Sequence, residues 1–338
     1  MPFDFIEAKT LIAIAANLEG PTPPLNMPAI PVNWGIQPIF DSPIMGAYDN
    51  KWQLWANPST NQYAVVIRGT VGEVGSIWED LMAVMIPATG TLPVGSVSFS
   101  YKLAEDPQAG VHLGFALGMA IVMLDDTNGI ITQLQQRVPS GAEILIAGHS
   151  QGAAIATLCR SFLEYSAILA AKKYTYKTYL YAQPKPGNNH YACDFERIVS
   201  NCATGFCVTN TQDWVPQVPL TLQGLISLNT PNPLSVIREG NFALAIGGFL
   251  HRMVQRRVKR AHLAKHSLQI KALQQTLQKQ KHLHIAKSTS PLDLNIMPSL
   301  NFVNCGLPIT LTGTPGGNPN NPKDFFWQHH ATMYYNLL

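Results

Sequence analysis

The sequence contains few charges and no long apolar run. Charged residues make up 13% of its 338 residues and hydrophobic residues 46%, which is typical of a globular protein with a sizeable core. No apolar stretch approaches the roughly 18 residues that a membrane-spanning helix requires. The short run Leu11 to Ala16 follows charged residues without the basic start of a signal peptide, so it predicts an amphipathic N-terminal helix. The cytoplasm is therefore the default expectation, with membrane-surface association and non-classical export left open.

Cysteines are also few. The chain has 5 of them and no Cys-x-x-Cys pair. At least one must be unpaired, and the pattern favours reduced, mostly buried thiols over disulfides. We expect no metal and no cofactor.

Acidic residues are absent between Gly240 and Leu292, whereas ten lysines and arginines fall there. Removing those ten from the total of 23 leaves 13 basic against 20 acidic residues, so the rest of the chain carries a net charge of −7. Apolar residues recur at helical spacing through residues 236–292. This pattern predicts a basic amphipathic helical insertion within a single domain that spans residues 1–338.

Strand-like and helix-like segments alternate along the remaining chain. The predicted order is a hairpin over residues 51–67, a helix over 114–138, a strand over 143–147, a helix over 151–172, and strand-like pieces over 174–182, 203–210 and 300–311. The alternation predicts an α/β fold in which helices cover both faces of a mostly parallel sheet.

The segment Gly148-His149-Ser150-Gln151-Gly152 lies between one of these strands and the following helix. Glycines on either side of a serine allow a sharp, strained turn that lifts the hydroxyl clear of the sheet. The first N–H groups of the following helix would then point at an oxyanion formed above it. The sequence therefore predicts a nucleophile elbow with Ser150 at its apex.

A serine hydroxyl needs a histidine to take its proton and a carboxylate to orient that histidine. In proteins with such an elbow the chain order is serine, acid, histidine. Asp213 comes directly after a predicted strand, whereas Asp194, the weaker candidate, lies within a predicted helix. His329 and His330 are the only histidines close to the C-terminus, where this order places the base.

Several other segments occur in an order that is similar to a known family. They are Val65-Val66-Ile67-Arg68-Gly69-Thr70, Val111-His112-Leu113-Gly114-Phe115, Tyr181-Ala182-Gln183-Pro184-Lys185-Pro186-Gly187-Asn188, Asp213 with Val215 and Pro216, and His330 with Tyr334 and Tyr335. With the elbow, they resemble the class 3 lipases, which are fungal-lipase-like α/β-hydrolases. Ala182 and Lys185 stand where that family has glycine and arginine, and the basic insertion has no counterpart in its pattern.

The resemblance implies an α/β-hydrolase fold and a role for each matching residue. Ser150 would be the nucleophile, Asp213 the orienting acid and His330 the general base, with His329 as the alternate base. Thr70 and the backbone N–H of Gln151 would form the oxyanion hole. The stretch at about 76–94 would carry a lid, with ordinary core as the alternative reading.

The implied function is a serine-dependent carboxylic ester hydrolase, a lipase or phospholipase, that acts on acylglycerols or phospholipids through an acyl-enzyme. An acyltransferase that uses the same acyl-enzyme is one alternative, distinguished by whether an alcohol outcompetes water. A non-catalytic membrane-binding protein on a hydrolase scaffold is another, and the complete set of serine, acid and histidine argues against it.

The basic insertion has three interpretations. The first is a solvated helical excursion without a partner. The second is attachment to an anionic membrane surface through residues 240–290, since basic amphipathic helices bind anionic lipids. Nucleic acid is not expected as a partner, because no aromatic platform or binding motif accompanies the charge. His262 and His266 are one helical turn apart in this segment, but no neighbouring carboxylate or cysteine completes a metal site.

Overall fold

The structure is a computed structural model that describes residues 2–18, 29–35, 37–45, 49–69, 84–94, 97–219, 221, 295–297 and 299–338. The basic insertion predicted over residues 236–292, Thr70 and residues 76–83 of the expected lid lie outside these ranges.

The described elements alternate as the sequence predicts. The strands are β1 (Phe40–Asp41), β2 (Trp52–Asn57), β3 (Gln62–Ile67), β4 (Met85–Pro87), β5 (Thr89–Val94), β6 (Val97–Lys102), β7 (Gly110–His112), β8 (Glu143–His149), β9 (Thr175–Tyr181), β10 (Gly205–Asn210) and β11 (Leu307–Leu311). The α-helices are α1 (Phe5–Leu18), α2 (Leu113–Leu124), α3 (Ile130–Arg137), α4 (Gln151–Tyr165), α5 (Asn189–Ser200) and α6 (Ala331–Leu337).

A seven-stranded sheet in the order β1-β2-β3-β8-β9-β10-β11 forms the centre of the molecule. Within this sheet, neighbouring strands among β3, β8, β9, β10 and β11 pair in parallel, and β1 and β2 add an antiparallel edge. The predicted hairpin is confirmed as the β2–β3 pair, in which Asn57 lies opposite Gln62. The α/β class with a mostly parallel sheet is likewise confirmed.

Side chains of β8 alternate between two hydrophobic cores. Ile144 and Ile146 pack on one face of the sheet with α2, α3, α4 and α5. Leu145 and Ala147 pack on the other face with α1 and α6. This period of two residues is what a strand covered on both faces requires. Both cores therefore meet at the strand that leads to Ser150.

The first helix differs from its prediction. Residues from Leu11 to Ala16 are all buried, because α1 lies between the sheet and α6. The prediction of an amphipathic helix is wrong for this segment, since a helix that is apolar on nearly all sides is stable when other elements cover it all round. Within the described residues, no helix has both the length and the apolarity to cross a membrane.

The helix predicted over residues 114–138 is interrupted in the structure. It divides into α2 and α3 because the Asp125 side chain accepts hydrogen bonds from the N–H groups of Thr127 and Asn128. Such local bonds compete with a continuous helix. The helix predicted over 151–172 also ends early, at Tyr165, and a 3-10 helix, Ala167–Lys172, follows it.

The described part of the expected lid, residues 84–94, contains five buried apolar residues, which are Val84, Met85, Ile86, Ala88 and Leu92. Val84, Met85 and Ile86 are buried, and β4 pairs with β7 in an antiparallel bridge. β5 pairs in turn with β6. Val84, Ile86, Ala88 and Leu92 pack in one of the two hydrophobic cores, so the alternative reading as ordinary core fits these residues.

Candidate active site

Ser150 lies at the turn between β8 and α4 with φ 59° and ψ −132°. Only glycine adopts this backbone region readily, so the serine is held under strain by its surroundings. The flanking glycines allow the turn: a Cβ added to Gly148 would lie 2.3 Å from Gly152, and one added to Gly152 would lie 2.2 Å from the carbonyl oxygen of Ile67. The sharp turn predicted at Ser150 is therefore present, and close backbone packing of β3, β8 and α4 forms it.

His329 connects this serine to the acid. Its Nδ1 lies 2.8 Å from Oδ2 of Asp213, and its Nε2 lies 2.8 Å from Oγ of Ser150. Because an ionised carboxylate can only accept, Nδ1 carries the proton, and Nε2 of the neutral ring then accepts from the serine hydroxyl. All three side chains are buried. The arrangement can move a proton from Ser150 to His329 while Asp213 faces the positive charge that results.

Asp213 is fixed at the end of β10 by further hydrogen bonds. Its Oδ1 accepts from the backbone N–H of Val215 at 2.9 Å, and its Oδ2 accepts from the hydroxyl of Tyr334 at 2.8 Å. Burial alone would raise the pKa of the Asp213 carboxyl, but the bonds from His329, Val215 and Tyr334 outweigh it and lower that pKa. The carboxylate is therefore ionised at neutral pH despite being buried.

His330 does not contact the elbow, so the structure corrects the choice between the two histidines. Its Nε2 lies 3.0 Å from Oδ2 of Asp324, and its side chain is 44% exposed. His329 ends a 3-10 turn, Trp327–His329, and His330 is the N-cap of α6, so successive side chains point in different directions. The alternate base of the sequence prediction is the histidine beside Ser150. Asp194, the weaker acid, bonds instead with Tyr165 and Arg197.

Three residues that the sequence reasoning did not assign to the site hold its parts in place. Tyr334 donates to Asp213 and accepts from the backbone N–H of Asn210 at 3.2 Å. The side-chain amide of Asn210 donates to the carbonyl oxygen of Gln328 at 2.8 Å, and His149 Nε2 lies 2.7 Å from the carbonyl oxygen of His329. Tyr334 could be noticed in the sequence, because it is one of the aromatic residues that follow the histidines. The contacts of Asn210 and His149 depend on tertiary structure and have no such sequence signal.

The expected oxyanion hole is described in part. Gln151 is the first residue of α4, and the N–H groups of a first helical turn point out of the helix end. On the other side of the elbow, a Cβ added to Gly69 would lie 3.8 Å from Ser150 Oγ, so β3 ends beside the serine. Thr70 is the next residue along the chain and lies outside the described residues.

Metal ligands do not gather near these residues. Within the ranges that the structure describes, no three or more His, Cys, Asp or Glu side chains are placed to hold a metal ion. All five cysteines are free thiols, and Cys159, Cys207 and Cys305 are buried.

Comparisons with known proteins agree with the ordered motifs. Residues 64–223 match the family model for lipase (class 3). The secreted mono- and diacylglycerol lipases A of Penicillium cyclopium and Penicillium camembertii are each 32% identical over 120 residues. Those residues are 35% of this chain and 35% of each relative, so the likeness spans about a third of either length.

Solved structures of fungal lipases are also similar. The mono- and diacylglycerol lipase from Aspergillus oryzae aligns with 65% of this chain and 76% of its own, at 19% identity and a TM-score of 0.45. The triacylglyceride lipase of Rhizomucor miehei aligns with 64% and 74%, at 20% identity and a TM-score of 0.42. The range that matches the class 3 lipase model, residues 64–223, includes both Ser150 and Asp213.

Proposed function

We propose that this protein is a serine-dependent carboxylic ester hydrolase that acts on acylglycerols or phospholipids through an acyl-enzyme. The observation that carries the proposal is the continuous set of hydrogen bonds from Ser150 through His329 to Asp213, each 2.8 Å long. A histidine within hydrogen-bond reach of both a serine and an acid is the geometry that nucleophilic catalysis requires.

In the first half of the reaction Ser150 Oγ attacks the ester carbonyl while Nε2 of His329 takes the hydroxyl proton. The carbonyl π electrons move onto oxygen, and the backbone N–H of Gln151 stabilises that oxyanion together with Thr70. Each such donor contributes about 3 kcal/mol in a dry site. When the tetrahedral intermediate collapses, the alcohol leaves with the proton from His329, and the acyl group remains on Ser150.

In the second half water attacks the acyl-enzyme. His329 accepts a proton from the water molecule while the water oxygen bonds to the acyl carbon. It then gives that proton to Ser150 Oγ as the ester bond between the serine and the acyl group breaks. The products are a carboxylic acid and the free serine. Asp213 remains ionised throughout, because its role is to orient His329 and to stabilise the imidazolium.

A lipid substrate is supported by the apolar surface beside the triad. Phe325 is 77% exposed and Trp214, the neighbour of Asp213, is 40% exposed. The Trp214 indole donates to the carbonyl of Phe325 at 2.9 Å, and the Phe326 ring lies between Trp214 and His329 at centroid distances of 5.2 and 6.0 Å. Exposed aromatic rings fixed in this way suit contact with acyl chains. Some of the similar proteins are mono- and diacylglycerol lipases, which fits the same class of substrate.

Fluorophosphonate labelling tests the triad directly. We expect the wild type and His330→Ala to be labelled on serine, whereas Ser150→Ala and His329→Ala are not. His330→Ala is the matched control, since it removes the adjacent histidine and leaves the contact with Ser150 intact. Labelling that survives in Ser150→Ala contradicts the nucleophile, and labelling lost only in His330→Ala contradicts the choice of base.

We further propose that residues 240–290 attach the enzyme to anionic membranes. The support comes from the sequence: ten basic and no acidic residues occupy this segment, while the rest of the chain has a net charge of −7. A cation near an anionic lipid surface contributes about 1 kcal/mol, so several together suffice for reversible attachment. The acidic remainder of the chain would be repelled by the same surface.

Vesicle sedimentation tests this attachment. Neutralising Arg256, Arg257, Lys259 and Arg260 with glutamine is expected to weaken binding to phosphatidylserine-containing vesicles, as is deletion of residues 240–290. Both variants should still hydrolyse a short soluble ester, and vesicles of phosphatidylcholine alone are the control. Equal binding of the wild type and both variants to the anionic vesicles contradicts the proposal.

A further inference from the structure

His149, the residue before the proposed nucleophile, contacts the backbone of the proposed base. Its Nε2 lies 2.7 Å from the carbonyl oxygen of His329. A carbonyl oxygen can only accept, so the imidazole of His149 carries its proton on Nε2 and donates. The His149 side chain is buried, which shields this hydrogen bond from water.

The carbonyl of His329 lies where α6 offers it no backbone N–H donor. His330 is the N-cap of α6, and its own carbonyl accepts the first helical hydrogen bond, from the N–H of Met333 at 2.8 Å. The carbonyl one residue earlier therefore lies outside the helix ladder. His149 supplies a donor at this junction, where the backbone turns from the 3-10 turn into α6.

Hydrogen bonds hold both the backbone N–H and the backbone carbonyl of His329. Its N–H donates to the carbonyl of Phe326 at 2.8 Å, and its carbonyl accepts from His149. The imidazole rings of His149 and His329 also lie against each other, with centroids 4.7 Å apart and planes inclined by 34°. Because His149 and Ser150 are consecutive residues, one short stretch of backbone sets the position of both the serine and the histidine that faces it.

A second contact extends the same arrangement to the acid. The His149 ring meets the Tyr334 ring edge to face, with centroids 5.8 Å apart. The Tyr334 hydroxyl donates to Oδ2 of Asp213. The His149 ring is therefore packed against both of the residues that bind that carboxylate oxygen, His329 and Tyr334.

We propose that His149 is a positioning residue that holds His329 at hydrogen-bonding distance from Ser150. The inference rests on the proposed hydrolase function and adds to it a residue that acts through another and touches no substrate atom. A misplacement of about 1 Å at a catalytic group lowers the rate by about a hundredfold. The His149 donor is thus expected to affect the rate of acylation far more than substrate binding.

Replacements that differ in the reach of a donor test the proposal. Gln places an amide N–H near the position of Nε2 in histidine, Asn places the same group nearer the backbone, and Leu has no donor. We expect His149→Gln to keep kcat for p-nitrophenyl butyrate within about threefold of the wild type, whereas His149→Asn and His149→Leu lose between about tenfold and about a hundredfold, with KM nearly unchanged. The rate of fluorophosphonate labelling should fall in the same order.

The comparison of Gln with Asn keeps the test valid if His149→Leu does not fold, since the two amides differ only in length. Equal kcat in the Gln and Asn variants, or a change confined to KM, overturns the positioning role. Wild-type protein that is neither labelled nor active refutes the hydrolase function itself and with it this role. A labelled, active wild type beside variants that all match its rate refutes the role of His149 alone.

Discussion

Replacing Ser150 with glycine is expected to give a more stable protein than replacing it with alanine. Ser150 has φ 59° and ψ −132°, a region that costs a residue with a side chain about 1–3 kcal/mol. Glycine avoids that cost, although its greater freedom in the unfolded chain costs about 0.5–1 kcal/mol. The difference should therefore favour Ser150→Gly over Ser150→Ala by roughly 1 kcal/mol, and by up to about 2.5 kcal/mol, in the free energy of unfolding.

The two variants are well matched for this comparison. Each removes the hydroxyl, and with it the hydrogen bond to His329, so neither activity nor that bond separates them. Urea unfolding followed by circular dichroism gives the two free energies. Ala156→Gly, in the middle of α4, is the control for ordinary backbone, and glycine there should destabilise by about 1 kcal/mol or more. If Ser150→Ala equals or exceeds Ser150→Gly in stability, no strain is stored at the elbow and the reasoning is refuted.

Two further substitutions probe the surroundings of the serine. Gly152→Ala should lower the melting temperature and abolish fluorophosphonate labelling. The added Cβ would lie 2.2 Å from the carbonyl oxygen of Ile67 and would force β3 away from the elbow. A variant that is labelled and melts like the wild type would contradict this packing. Tyr334→Phe should raise the pKa of Asp213, since it removes one of the hydrogen bonds that lower it. The stability that Asp213 contributes is present above its unfolded pKa of about 3.9 and is lost as pH falls through the folded pKa. The variant should therefore have less of this stability to lose on acidification, and the loss should be complete at a higher pH than in the wild type. Chemical unfolding from about pH 3 to about pH 7 tests this, and superimposable profiles would contradict it.

Local features of the sequence explain why the elbow could be predicted. The glycines around Ser150, the apolar strand before it and the helix after it are close together along the chain, and they act within a single turn. The hairpin of β2 and β3 is equally local, because a turn-forming stretch joins two alternating strands. Asp213 was also identifiable, since it follows a strand directly.

The choice between His329 and His330 depends on contacts that are distant in sequence. The two residues are adjacent and chemically identical, and the backbone turn before α6 decides which one faces Ser150. That turn is held by Asn210 and His149, more than a hundred residues earlier in the chain. No local pattern around the two histidines carries this information.

Tertiary packing also explains why α1 and the segment expected to be a lid differ from their predictions. The apolar run in α1 indicates a helix but does not reveal that α6 covers its second side. Apolar residues 84–86 suit either a helix or a short strand, and pairing with β7 selects the strand. Short apolar runs are ambiguous in this way until their partners are known.

The position of α1 between the sheet and α6 has a consequence for the order in which the protein folds during synthesis. This helix precedes its partners in the chain: one of the strands that it packs against, β9, ends at Tyr181, and α6 begins only at Ala331. Until β9 and α6 are made, part of its apolar surface has no native partner, and such surfaces promote aggregation of nascent chains. Because His329 follows Ser150 by 179 residues, a ribosome-bound chain would contain the serine and its elbow well before the histidine that faces it.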